Sequence, residues 1–106
     1  MSKRTPKDRW PIHGGDAATY QLTPPAGYET ATDWRLQFRA APLPAAGTVL
    51  TPAVDTSQLG DDPAIVQFDF AEGVVQSSHD GFEGDIECSL GTLLTVVLQV
   101  EDDWTL

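Results

Sequence analysis

Apolar residues recur at every second position through most of this chain. Trp34, Leu36 and Phe38 alternate with Asp33, Arg35, Gln37 and Arg39, the cleanest such row. Ala18, Tyr20 and Leu22 alternate with Thr19 and Gln21, and Val66, Phe68 and Phe70 with Gln67 and Asp69. Ile86, Cys88 and Leu90 alternate with Asp85, Glu87 and Ser89, while Leu94, Val96, Leu98 and Val100 make the longest inward row. Period two places alternate side chains on one face of a strand, so each row predicts a strand with one buried face. Residues 48–51 form a shorter candidate, limited by Pro44 and Pro52. Residues 74–76 extend the 65–70 run beyond a kink at Glu72-Gly73.

Turn residues separate these rows: Thr23-Pro24-Pro25-Ala26-Gly27, Ala41-Pro42-Leu43-Pro44, Gly60-Asp61-Asp62-Pro63, Asp80-Gly81 and Leu90-Gly91. Proline and glycine supply backbone angles that a continuing strand rejects. Leu90-Gly91 predicts a tight hairpin, since glycine accepts the positive φ such turns require. Residues 55–59 have room for one helical turn at most. About seven short strands, with turns roughly every 8–12 residues, predict an all-β fold in which two antiparallel sheets each bury one face as a β-sandwich.

The 106 residues suit one domain, given a usual size of about 100–150. Residues 1–16 read as an extended N-terminal arm, polar and interrupted by proline, with Trp10-Pro11-Ile12 as a short apolar patch and residues 13–16 as a turn. Residues 17–106 are the sandwich. Deleting residues 1–12 is therefore expected to spare the fold while abolishing assembly with partners.

Charge adds an asymmetry that the pattern does not show. The chain carries a net charge of −10, yet Lys3, Arg4, Lys7 and Arg9 face only Asp8 within the first nine residues. Beyond residue 40 there is no Lys or Arg, against twelve Asp and Glu. An acidic body repels phosphate, which argues against nucleic acid or an anionic membrane as partner. The acidic surface serves solubility or matches a basic neighbour, with the basic arm reaching for an acidic one. No apolar run approaches the roughly 18–20 residues that span a bilayer, and no hydrophobic stretch follows the N-terminal charges as in a signal peptide. A single cysteine excludes an internal disulfide, and synthesis in a cytoplasm is expected.

Candidate chemistry is sparse. Ser77-Ser78-His79-Asp80 holds every residue type of a hydrolytic triad, but such close neighbours seldom converge on one reacting atom, and a polar loop is the better reading. One cysteine and two distant histidines do not make a zinc site. Asp80, Glu83, Asp85 and Glu87 read as solvated acid rather than a calcium cage, because alternation points Asp85 and Glu87 outward. Cys88 falls on an inward row and reads as a buried small hydrophobe. No catalytic residue, metal or cofactor is expected. Trp34 belongs to the core by periodicity, whereas Trp10 and Trp104 lie near the two ends, and tryptophan is enriched at binding hot spots. The residues expected to make protein contacts are Lys3, Arg4, Lys7, Arg9, Trp10, Ile12 and Trp104, with Trp104 and Leu106 open also to a role as core plugs.

Four segments carry a resemblance: residues 13–22, opening on His13-Gly14-Gly15-Asp16; residues 33–39, with Trp34, Arg35 and Phe38; residues 84–88; and residues 92–100. In this order they resemble small phage virion proteins with an Ig-like β-sandwich, found in baseplate, tail-fibre and neck or head-attached components. The resemblance covers residues 13–104. Phe82-Glu83-Gly84-Asp85 departs from the group's aromatic-polar-aromatic-Asp run. The likeness implies a non-enzymatic structural protein located in the virion, in a homo- or hetero-oligomeric assembly with other virion proteins, and it carries over no catalytic residue. A carbohydrate-binding module is the alternative on the same architecture, with Tyr28 or Trp104 as its exposed aromatics.

Overall fold

A computed structural model of the chain describes residues 7–40, 47 and 49–101; Lys3, Arg4 and Trp104 lie outside them. Seven strands follow one another: β1 (Lys7–His13), β2 (Ala18–Leu22), β3 (Phe38–Arg39), β4 (Ala53–Asp55), β5 (Val66–Phe70), β6 (Glu83–Cys88) and β7 (Gly91–Glu101), with a short 3-10 turn at Ser77–His79. They form a four-stranded sheet in the order β1-β7-β6-β3 and a three-stranded sheet in the order β2-β5-β4. Lettered A to G along the chain, the sheets are A-G-F-C and B-E-D. This is the strand order of the immunoglobulin sandwich, with the first strand carried on the sheet of the last. The expected all-β sandwich is present, with one departure from antiparallel pairing: β1 runs parallel to β7, from Lys7 beside Thr95 to His13 beside Glu101.

The inward rows meet as the periodicity predicts, except that Leu90 falls in the turn before Gly91 and is exposed. Trp34, Leu36, Phe38, Val66, Phe68, Phe70, Ile86, Cys88, Val96 and Leu98 share one buried cluster, with Leu94 packed against it. Aromatic rings bridge the two sheets. Trp10 of β1 stacks on Tyr20 of β2 with ring centres 4.3 Å apart, and tilts against Phe68 at 5.7 Å. Phe38 meets Phe70 at 5.9 Å. Offset and tilted pairs of this kind add about 0.5–1.5 kcal/mol each beyond the area they bury.

Only Phe38–Arg39 of the 33–39 row is a regular strand. Arg35 nevertheless exchanges both backbone hydrogen bonds with Glu87, in the same register as Phe38 opposite Gly84. Upstream, Asp33 interrupts the strand with φ of 57°. Gly84 lets the edge come close: a Cβ there would overlap the Gln37 carbonyl oxygen and press on the Phe38 ring. Of residues 48–51, Leu50 is buried and bridges Phe38, while Thr48 lies outside the described residues. Residues 74–76 do not extend β5; they turn, and Val75 alone enters the core.

The first strand corrects the expectation of an arm. Residues 7–13, placed in it on grounds of polarity and proline, form β1, whose Trp10 and Ile12 are only 5% and 3% exposed. Their apolar period was masked by charged neighbours and by Pro11, a residue tolerated on a sheet edge. Removing residues 1–12 would consequently strip a tryptophan and an isoleucine from the core. Truncation of such side chains alone costs about 2–5 kcal/mol each.

Candidate docking surfaces

Strand direction sorts the loops into two ends. At one end lie the start of β1, the 23–37 segment, the 56–65 loop and the two-residue turn Ser89-Leu90 before Gly91, where φ is 119°. The 23–37 segment is fastened there. Ser89 donates its backbone N–H to the Thr32 carbonyl at 2.8 Å, and Thr32 donates its own N–H to the Ser89 hydroxyl at 3.0 Å. The buried Trp34 indole N–H donates to the Ala31 carbonyl at 3.1 Å.

Between the 23–37 and 56–65 segments runs a groove of about 350 Å³. Buried Pro24 and half-buried Leu59 and Ala64 line it, and exposed Glu29, Asp61 and Asp62 stand at its rim. Glu29 accepts the Gly27 N–H at 3.0 Å, whereas the Asp61 and Asp62 carboxylates have no hydrogen bond or ion pair among the described residues.

The outer faces of the two sheets differ in charge. Alternation with buried Trp10 and Ile12 puts Lys7 and Arg9 on the outer face of the four-stranded sheet, where Arg35 and Arg39 also lie, so every described Lys and Arg is there. Glu83, Asp85 and Glu87 run between them on β6. Lys7 reaches Glu83 at 3.8 Å and Arg35 reaches Glu87 at 3.4 Å. Thr95 donates its hydroxyl to Asp85 at 2.6 Å. The three-stranded sheet presents uncharged polar groups and acids: Thr19 bonds Asp69 at 2.7 Å and Gln21 bonds Gln67 at 3.0 Å.

The sheets have four edges, and three are blunted. Along β1, the Arg9 N–H is taken by the Asp8 carboxylate at 2.9 Å, Pro11 has no N–H, and the Pro11 carbonyl accepts the Tyr20 hydroxyl. Edge β3 has two residues and is bridged by Leu50. Edge β4 has three, following Pro52, and its Asp55 carboxylate accepts the Ser57 N–H. That bond, from side chain and backbone of Ser57, holds the Asp55 pKa below its ordinary value. Edge β2 has five residues with no proline or charge, and among the described residues only β5 pairs with it. Because β1 pairs wholly with β7, no described strand stands beside β2 on that side.

Of the residues expected to make contacts, Lys7 and Arg9 are exposed on one face, while Trp10 and Ile12 point the other way into the core. Nothing in the local pattern marked the β2 edge or the groove, since both arise where distant segments meet. His79 caps its own turn by accepting the Gln76 N–H on Nδ1 at 2.9 Å, and Asp80 accepts the Val100 N–H at 2.9 Å. Those two members of the triad-like run thus have structural uses. Among the described residues no group of three or more His, Cys, Asp or Glu is placed to hold a metal ion. None of the described aromatic side chains is exposed, and Tyr28 packs against the core. Set against known proteins, the chain matches no family model, no curated protein and no solved structure.

Proposed function

We propose that this chain is a non-enzymatic docking domain that accepts a neighbour's strand along β2, in the phage particle that the sequence resemblance implies. The reading rests on the β2 edge, which pairs with no strand but β5 among the described residues. Unpaired edge groups are a template for an added strand, and proteins usually blunt them with proline, charge or shortness. Three edges here carry such devices and β2 does not. Main-chain hydrogen bonds would give the added strand its affinity, with Thr19 and Gln21 reading its outward side chains.

The test is a chain carrying Thr19→Lys and Gln21→Lys, which adds the missing charge to the edge. Both positions are exposed; the change gives up the Thr19–Asp69 and Gln21–Gln67 bonds, and the lysine at 19 would sit beside Asp69 across the ladder, so the fold should survive at a cost of about 1–2 kcal/mol. Mass spectrometry of purified particles should find the parent chain and at least tenfold less of the variant. Absence of the parent would defeat the particle setting; equal incorporation of the variant would defeat the edge.

A further inference from the structure

The groove between the 23–37 and 56–65 segments has a composition of its own. Its volume of about 350 Å³ falls within the roughly 300–1,000 Å³ of sites that enclose small groups. Its lining of Pro24, Leu59 and Ala64 is apolar, and Glu29, Asp61 and Asp62 at its mouth are acidic. Lysine and arginine match that combination, because they lay a methylene stem on apolar surface and keep a charged head at the rim.

Among the described residues no Lys or Arg lines the groove. Every described Lys and Arg lies on the outer face of the other sheet, where Lys7 and Arg35 already pair with Glu83 and Glu87. The net charge of −10 further draws cations toward the surface. The groove begins at Thr23 and Pro24, directly after Leu22, so a segment leaving the β2 edge at that end arrives beside it.

We infer that this groove seats a lysine or arginine side chain from an extended segment of a partner protein. The inference stands on the groove itself and deepens the docking reading without requiring the added strand. The probe is an acetylated, amidated five-residue peptide of alternating alanine and lysine, with a glutamine counterpart, titrated into the full chain and followed by backbone amide NMR.

Saturable shifts at Leu59, Asp61, Asp62 and Ala64 are expected with the lysine peptide alone. The Kd should rise at least fivefold on replacing Asp61 and Asp62 by asparagine, both exposed and outside the core. The Thr19→Lys, Gln21→Lys chain should bind the peptide like the parent, which separates this site from the edge. Shifts spread over the acidic surface, or an unchanged Kd in the asparagine variant, would overturn the inference. Two other results would overturn it by naming another occupant. Binding that appears only after Lys3→Gln and Arg4→Gln would give the groove to the chain's own basic residues. Concentration-dependent broadening at Leu59–Ala64 without peptide would give it to a second copy.

Discussion

Tyr20 joins the two sheets through its ring and its hydroxyl, while its backbone anchors it in its own sheet. Its ring lies flat on Trp10, its backbone pairs with Phe68, and its hydroxyl donates to the Pro11 carbonyl. Burial, and secondarily the Asp8 carboxylate, pushes its ionisation above the ordinary value of 10.0. A raised folded-state pKa means that the native protein holds the proton longer than the unfolded chain does. The resulting stability is intact below the unfolded value and is lost as pH climbs through about 10 toward the folded one. Tyr20→Phe should cost about 0.5–1.5 kcal/mol at pH 7 through the lost hydrogen bond. Its stability should then fall less steeply than the parent's above about pH 10. Urea midpoints between pH 7 and 11 read both effects, and parallel curves would remove Tyr20 from the alkaline response.

At the scale of elements, β3 is held by how closely it can approach β6. Gly84 makes that approach possible, so Gly84→Ala should destabilise by about 1–3 kcal/mol, as overpacking does. Calorimetry would register a lower Tm; an unaltered Tm would mean that β3 is not seated there. The row of Trp34, Leu36 and Phe38 was legible in the sequence because burial on one face writes itself as strict alternation. Strand β1 was not, because Lys7, Arg9 and Pro11 fill its outward positions and make the segment look solvated. Strand β4 is too short to show a period. The β2 edge was hidden for another reason: whether β1 pairs with β2 or β7 is decided between sheets, not within a segment. The groove is built from loops, whose residues obey no repeat.

Over the whole molecule, charge is sorted by surface. One outer face interleaves Lys7, Arg9, Arg35 and Arg39 with Glu83, Asp85 and Glu87, while the opposite sheet and the groove carry acids without described cations. Exposed pairs of this kind contribute little to stability, about 0–1 kcal/mol. The parallel ladder of β1 and β7 has a mechanical consequence. Lys7 and Glu101 sit at its opposite ends, about 20 Å apart at the usual rise of a strand. Tension applied through those two residues pulls the strands lengthwise past each other, loading all the rungs together instead of peeling them one by one. Single-molecule stretching from residues 7 and 101 should therefore need a markedly higher rupture force than stretching across β6 and β7 at their turn; equal forces would refute it. A domain so strung can carry load along its axis.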